Sequence, residues 1–116
     1  MTSLETAKLV AKALSDKKGL DIRVIRINDI SVLADYMVIA TGTSSTQVKA
    51  MSDNVEYELD KAGISVSHIE GYRSNSWILM DYIDVIVHVF MEEARNFYDL
   101  ERLWKDGEII DVSDIL

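Results

Sequence analysis

Gly42-Thr43-Ser44-Ser45 joins a strand-like stretch to a helix-like one. Free amides and the helix dipole at such a junction can hold an anion. The turn contains no lysine and no GxGxxG spacing, so neither a P-loop nor a dinucleotide fingerprint is present. Small polar residues at this point also serve as an ordinary helix cap. Asp81 and Asp84 are the carboxylates that a magnesium-assisted phosphoryl or nucleotidyl transfer would need beside that turn. Residues three apart on a strand point to opposite faces, however, so the pair does not converge, and Asp84 is expected to serve the turn instead. The two histidines, His68 and His88, lack HxH or HExxH spacing, and no metal is expected at either. No Ser-His-Asp set or activated lysine can be assembled. The residues therefore point to a binding protein without a cofactor rather than an enzyme. The alternative is a nucleotide-binding or nucleotidyltransferase-like enzyme using Gly42–Ser45 and Asp81.

Composition narrows the partners. The chain has 116 residues, 48% of them apolar and 28% charged, which fits one globular domain with one real core. Twelve basic residues face 20 acidic ones, a net charge of −8. Nucleic-acid binders usually show a basic footprint, so extensive direct RNA contact is not expected. A basic protein is the natural complement, because opposite charge speeds encounter and sets orientation. No stretch approaches a bilayer span, the N-terminus reads as neither a secretory signal nor a transit peptide, and cysteine is absent. These features predict a cytoplasmic protein with no membrane partner.

The elements that must position these residues follow from periodicity. Thr2 and Glu5 have capping-box spacing, and Leu4, Ala7, Val10, Ala11 and Leu14 form a helical stripe that Gly19 stops. Ile22, Val24, Ile25 and Ile27 read as a strand whose alternation slips at Val24-Ile25, through a bulge or burial on both faces. Ala34–Thr41 is nearly all apolar, as in a central strand. Ser44 and Gln47 cap a second helix carrying Val48, Met51, Val55, Leu59 and Ala62, closed by Gly63. Ile64, Val66 and His68 alternate as a third strand. After a turn at Glu70–Ser76 come strands Trp77–Tyr82 and Val85–Met91 around a tight connection at Tyr82-Ile83-Asp84. A last helix starts near Glu92-Glu93, with Phe97, Leu100 and Trp104 as its stripe, and ends at Gly107. The fold class is α/β, a single domain with a mixed β-sheet of about five strands flanked by helices in the order α-β-β-α-β-β-β-α. Residues 1–107 form the domain and 108–116 a short C-terminal tail.

The segment Trp77–Trp104 is both core-like and polar. Val85, Val87 and Val89 face opposite to Ile86, His88 and Phe90, and Trp77, Leu79 and Asp81 share one face of their strand. Tyr98 and Trp104 fall about 240° apart on a continuous helix, so one core cannot bury both. Aromatic side chains of this kind anchor protein interfaces.

The stretches ADYMVIATGTSSTQV (Ala34–Val48), HIEG (His68–Gly71), WILMDYIDVIVHVF (Trp77–Phe90) and RNFYDLERLW (Arg95–Trp104) resemble the ribosomal silencing factor, or Iojap-like, family. The resemblance runs from the first helix to Gly107. It implies a nucleotidyltransferase-like fold without catalysis. It also implies a translational repressor that binds the large ribosomal subunit through ribosomal protein uL14 and sterically blocks association with the small subunit when nutrients are scarce. Carried over by position, the partner-binding residues are Trp77, Met80, Asp81, His88, Phe90, Arg95, Tyr98 and Leu100. A homodimer of the free protein is a further expectation, since one apolar face can be self-complementary. Ile83 departs from a small residue that is common in the family and is expected to reshape the hairpin tip. Met37 stands for a common aromatic. The short N-terminus favours a bacterial over an organellar relative.

Overall fold

The computed structural model describes residues 1–71 and 76–116. Helix α1 (Ser3–Asp16) leads into β1 (Leu20–Arg26) and β2 (Tyr36–Gly42), followed by α2 (Ser45–Lys61). Strands β3 (His68–Glu70), β4 (Trp77–Asp81) and β5 (Val85–Met91) come next, then α3 (Glu92–Tyr98), α4 (Leu100–Leu103) and β6 (Glu108–Ile110). The strands form one mixed sheet in the order β3-β4-β5-β2-β1-β6. Only β2 and β5 run parallel, with Tyr36 opposite Val85 and Gly42 opposite Met91.

The caps form as their spacing requires. Thr2 and Glu5 make both halves of a capping box. Ser44 Oγ accepts from the Gln47 amide, but the Gln47 side chain turns away, binding Thr43 through its oxygen and the carbonyls of Lys17 and Lys18 through its nitrogen. Gln47 thereby ties the start of α2 to the end of α1. Gly63, at φ 82°, supplies the left-handed residue that ends α2.

Two cores lie on opposite faces of the sheet. The main core holds the stripes of α1 and α2 against Val24, Val38, Ile78, Met80, Val85, Val87 and Val89. The second holds Ile25, Ile27, Met37, Ile39 and Phe90, with Trp77, Ile86, Ala94, Leu100 and Trp104 against it. Strand β2 is buried along its whole length. The slip in β1 is burial on both faces, since Val24 and Ile25 enter different cores. The bulge lies earlier, between Leu20 and Arg23, at Asp21 (φ 48°).

Four expectations need correction. Pairing adds a sixth strand: Glu108–Ile110 lies antiparallel to β1, and Val112 beyond it is buried in the main core. The third strand starts later, at His68, while Ile64 and Val66 pack on the main core without pairing. The last helix is not continuous. Asp99 adopts a left-handed conformation (φ 47°) and separates α3 from α4, which leaves Phe97 82% exposed instead of in a stripe with Leu100 and Trp104. At the hairpin the turn is served by Asp81, whose carboxylate accepts from the Ile83 amide at 2.7 Å, rather than by the Asp84 side chain. The turn expected at Glu70–Ser76 falls largely on residues 72–75, outside the described residues. Gly71 beside it sits at φ 93°, and a Cβ there would lie 1.9 Å from the Trp77 carbonyl oxygen.

Candidate functional site

Helices α1 and α2 cover one face of the sheet. The short α3–α4 pair covers only part of the other. Strand alternation sends Trp77, Leu79 and Asp81 of β4, and Ile86, His88 and Phe90 of β5, to this second face. Between them and α4 lies an open groove of about 420 Å³, walled by Leu33, Trp77, Leu79, Ile86, Leu103 and Trp104 among others. Leu33 and Leu103 are largely exposed at its rim. Contiguous exposed apolar surface of this kind marks an interaction site, whereas apolar side chains exposed singly elsewhere do not.

An aromatic cluster closes one end of the groove. The Trp77 ring lies 5.1 Å from Phe90 and 4.4 Å from Tyr98, and Phe97 meets Tyr98 edge-on at 5.1 Å. Trp77 Nε1–H donates to His88 Nδ1 at 3.0 Å. That bond requires the neutral ring with its proton on Nε2. Burial favours the same form, holding the His88 pKa well below its ordinary value, at about 4. Asp81 stands at the other end. Among the described residues it is the one acidic side chain in the groove wall, and it is held by the turn bond to Ile83.

Arg95 sits behind the face, buried, at the start of the α3–α4 unit. Its Nη1 donates to the Asp21 carbonyl at 2.7 Å and to Thr41 Oγ1 at 2.8 Å, and its Nε donates to Glu101 at 3.0 Å. Arg95 thus clamps the β1 bulge, the end of β2 and α4 together, and α4 carries Leu100 and Leu103 to the groove.

Of the eight residues carried over by resemblance, Trp77, Asp81, Tyr98 and Leu100 reach this face. His88 and Phe90 lie on its side of the sheet but beneath Trp77. Arg95 supports it from behind. Met80 is corrected: it is fully buried in the main core, on the opposite face, as its position between Leu79 and Asp81 demands. The separation inferred for Tyr98 and Trp104 is corrected as well, because the Asp99 break lets both serve the second face. Sequence reasoning missed Leu33 and Leu103. Leu79 and Ile86 were available from the alternation that placed Asp81 and His88.

The two-part nucleotide site is not assembled. Gly42 pairs with Met91 at one end of β5, and Asp81 pairs with Ile86 near the other, roughly 16 Å away along the strand. Ser44 and Thr43 are engaged with Gln47. Among the described residues no cluster of histidines and carboxylates could hold a metal, and no helix is long and apolar enough to cross a membrane.

The family model for the ribosomal silencing factor during starvation matches residues 1–116. The chain is 38% identical over 112 residues to ribosomal silencing factor RsfS of Bacillus subtilis, covering 97% of this chain and 95% of that one. It is 31% identical over 109 residues to the chloroplastic protein Iojap of Zea mays, covering 94% of this chain and 47% of that one. A crystal structure of a Chromobacterium violaceum protein superposes with a TM-score of 0.89 at 40% identity, covering 90% of this chain and 88% of that one. The chain belongs to the ribosomal silencing factor family.

Proposed function

We propose that this protein represses translation in the cytoplasm by binding the large ribosomal subunit through ribosomal protein uL14 and sterically blocking association with the small subunit, under nutrient limitation or in stationary phase. Family membership supports a ribosome-associated, translation-regulating role. The observation that carries the docking step is the apolar groove on the half-covered sheet face, with Trp77 and Tyr98 at one end and Asp81 at the other. Such a mechanism needs affinity and bulk, not chemistry. The net charge of −8 suits a basic ribosomal protein and disfavours contact with RNA phosphates. Trp77, Asp81, Tyr98 and Leu100 are the direct contacts in this reading. His88, Phe90 and Arg95 hold them in place.

The test uses the exposed rim, where substitution leaves both cores intact. Tyr98→Ala and Leu103→Asp should lower co-sedimentation with purified large subunits, and capture of isolated uL14, by roughly tenfold or more, as loss of an interface anchor does. Binding equal to wild type in both variants rules out this face.

The free protein leaves Leu33, Phe97 and Leu103 in water. In the same reading, a second copy covers them when no ribosome is present. Sedimentation that stays monomeric as concentration rises would remove that part alone.

A further inference from the structure

The groove has a polarity along its length. Among the described residues its walls are apolar or neutral except for Asp81, which lies four residues from Trp77 on β4, roughly 13 Å away. Asp81 is half-buried, and among the described residues its carboxylate accepts one hydrogen bond, from the Ile83 amide. Among the described residues it forms no ion pair: His68, its neighbour across β3, turns to Glu70 at 3.1 Å instead. Glu70 stands on the same face, opposite Leu79. An ionised carboxylate that is partly desolvated beside apolar walls gains most from a cation brought to it.

We propose that the groove takes an extended or helical protein segment whose apolar side chain seats between Trp77 and Leu103 and whose lysine or arginine, roughly 13 Å further on, pairs with Asp81. This rests on the docking reading above and adds the chemistry and direction of the bound segment. An RNA strand does not fit, because its phosphates would meet Asp81 and Glu70.

The test compares Asp81→Asn with Asp60→Asn, a control on exposed α2 across the sheet, using the full chain and purified large subunits at low and high potassium chloride. Asparagine keeps an oxygen for the Ile83 amide, so the turn survives, and a melting curve checks this. Asp81→Asn should bind roughly tenfold more weakly at low salt, the scale of a lost charge-assisted bond, and with a shallower salt dependence than Asp60→Asn. If the two variants bind alike while Leu103→Asp fails to bind, the cation pairing is wrong and the docking face stands. If Leu103→Asp and Tyr98→Ala also bind as wild type, the docking reading fails and takes this inference with it.

Discussion

The indole N–H of Trp77 is tied to His88 Nδ1 at 3.0 Å, so the ring at the end of the groove is held by a buried, neutral imidazole. Trp77 is fixed from three sides, by that bond, by Phe90 below and by Tyr98 above. A partner would meet an aromatic platform already ordered, which lowers the entropy lost on docking.

Burial of His88 makes stability pH-dependent. Burial lowers the His88 pKa to about 4 in the folded chain, while the unfolded chain takes up the proton near the ordinary value of 6.5. Stability from His88 is therefore complete above about 6.5 and is lost as pH falls toward 4, by on the order of 3 kcal/mol across the window. Urea denaturation at several pH values should show that slope, and His88→Gln, which has no charge to gain, should flatten it. Equal slopes for the two proteins would remove His88 as the cause.

Arg95 is the buried link between α4 and the sheet. Arg95→Ala removes the donor to Thr41 Oγ1 and the Asp21 carbonyl, leaves Glu101 with Arg23 alone at 3.4 Å, and should cost about 3 kcal/mol. Arg95→Lys keeps the charge but cannot reach three acceptors at once, so it should recover only part. Denaturant midpoints of the two variants check the order, and lysine performing as well as arginine would contradict it.

Ile83 holds a left-handed conformation at φ 73°, which a β-branched residue adopts only under strain, and its side chain is exposed. Ile83→Gly should relieve about 1 kcal/mol, offset in part by the greater freedom of glycine in the unfolded chain. A rise in melting temperature is expected, and a fall would mean that Ile83 packs on the hairpin more than its exposure indicates.

Much of the fold was legible because it depends on local spacing. The Thr2–Glu5 capping box and the Ser44 cap follow from residue type and spacing, and the stripes of α1 and α2, the buried β2 and the two-faced β5 from periods of 3.6 and 2. The same alternation put Trp77 with Asp81, and Met80 on the other side. The resemblance drew Met80 into the site against that geometry. The break at Asp99 was not legible, because aspartate tolerates both helix and left-handed turn, and the choice falls to what surrounds it. Nor was β6, three residues whose pairing depends on β1 lying alongside.

The sequence by itself determined α1, α2, β1, β2, β4 and β5, the two faces of the hairpin and the acidic balance, since each depends on residue type and near-neighbour spacing. Only the tertiary structure decided that Arg95 is a buried clamp, that α4 stops short of covering the second face, and that Leu33 and Leu103 meet Trp77 and Asp81 across a groove. Those are contacts between residues far apart in the chain. They exist because the sheet brings β1, β2 and β4 together and the Asp99 turn swings α4 back over them.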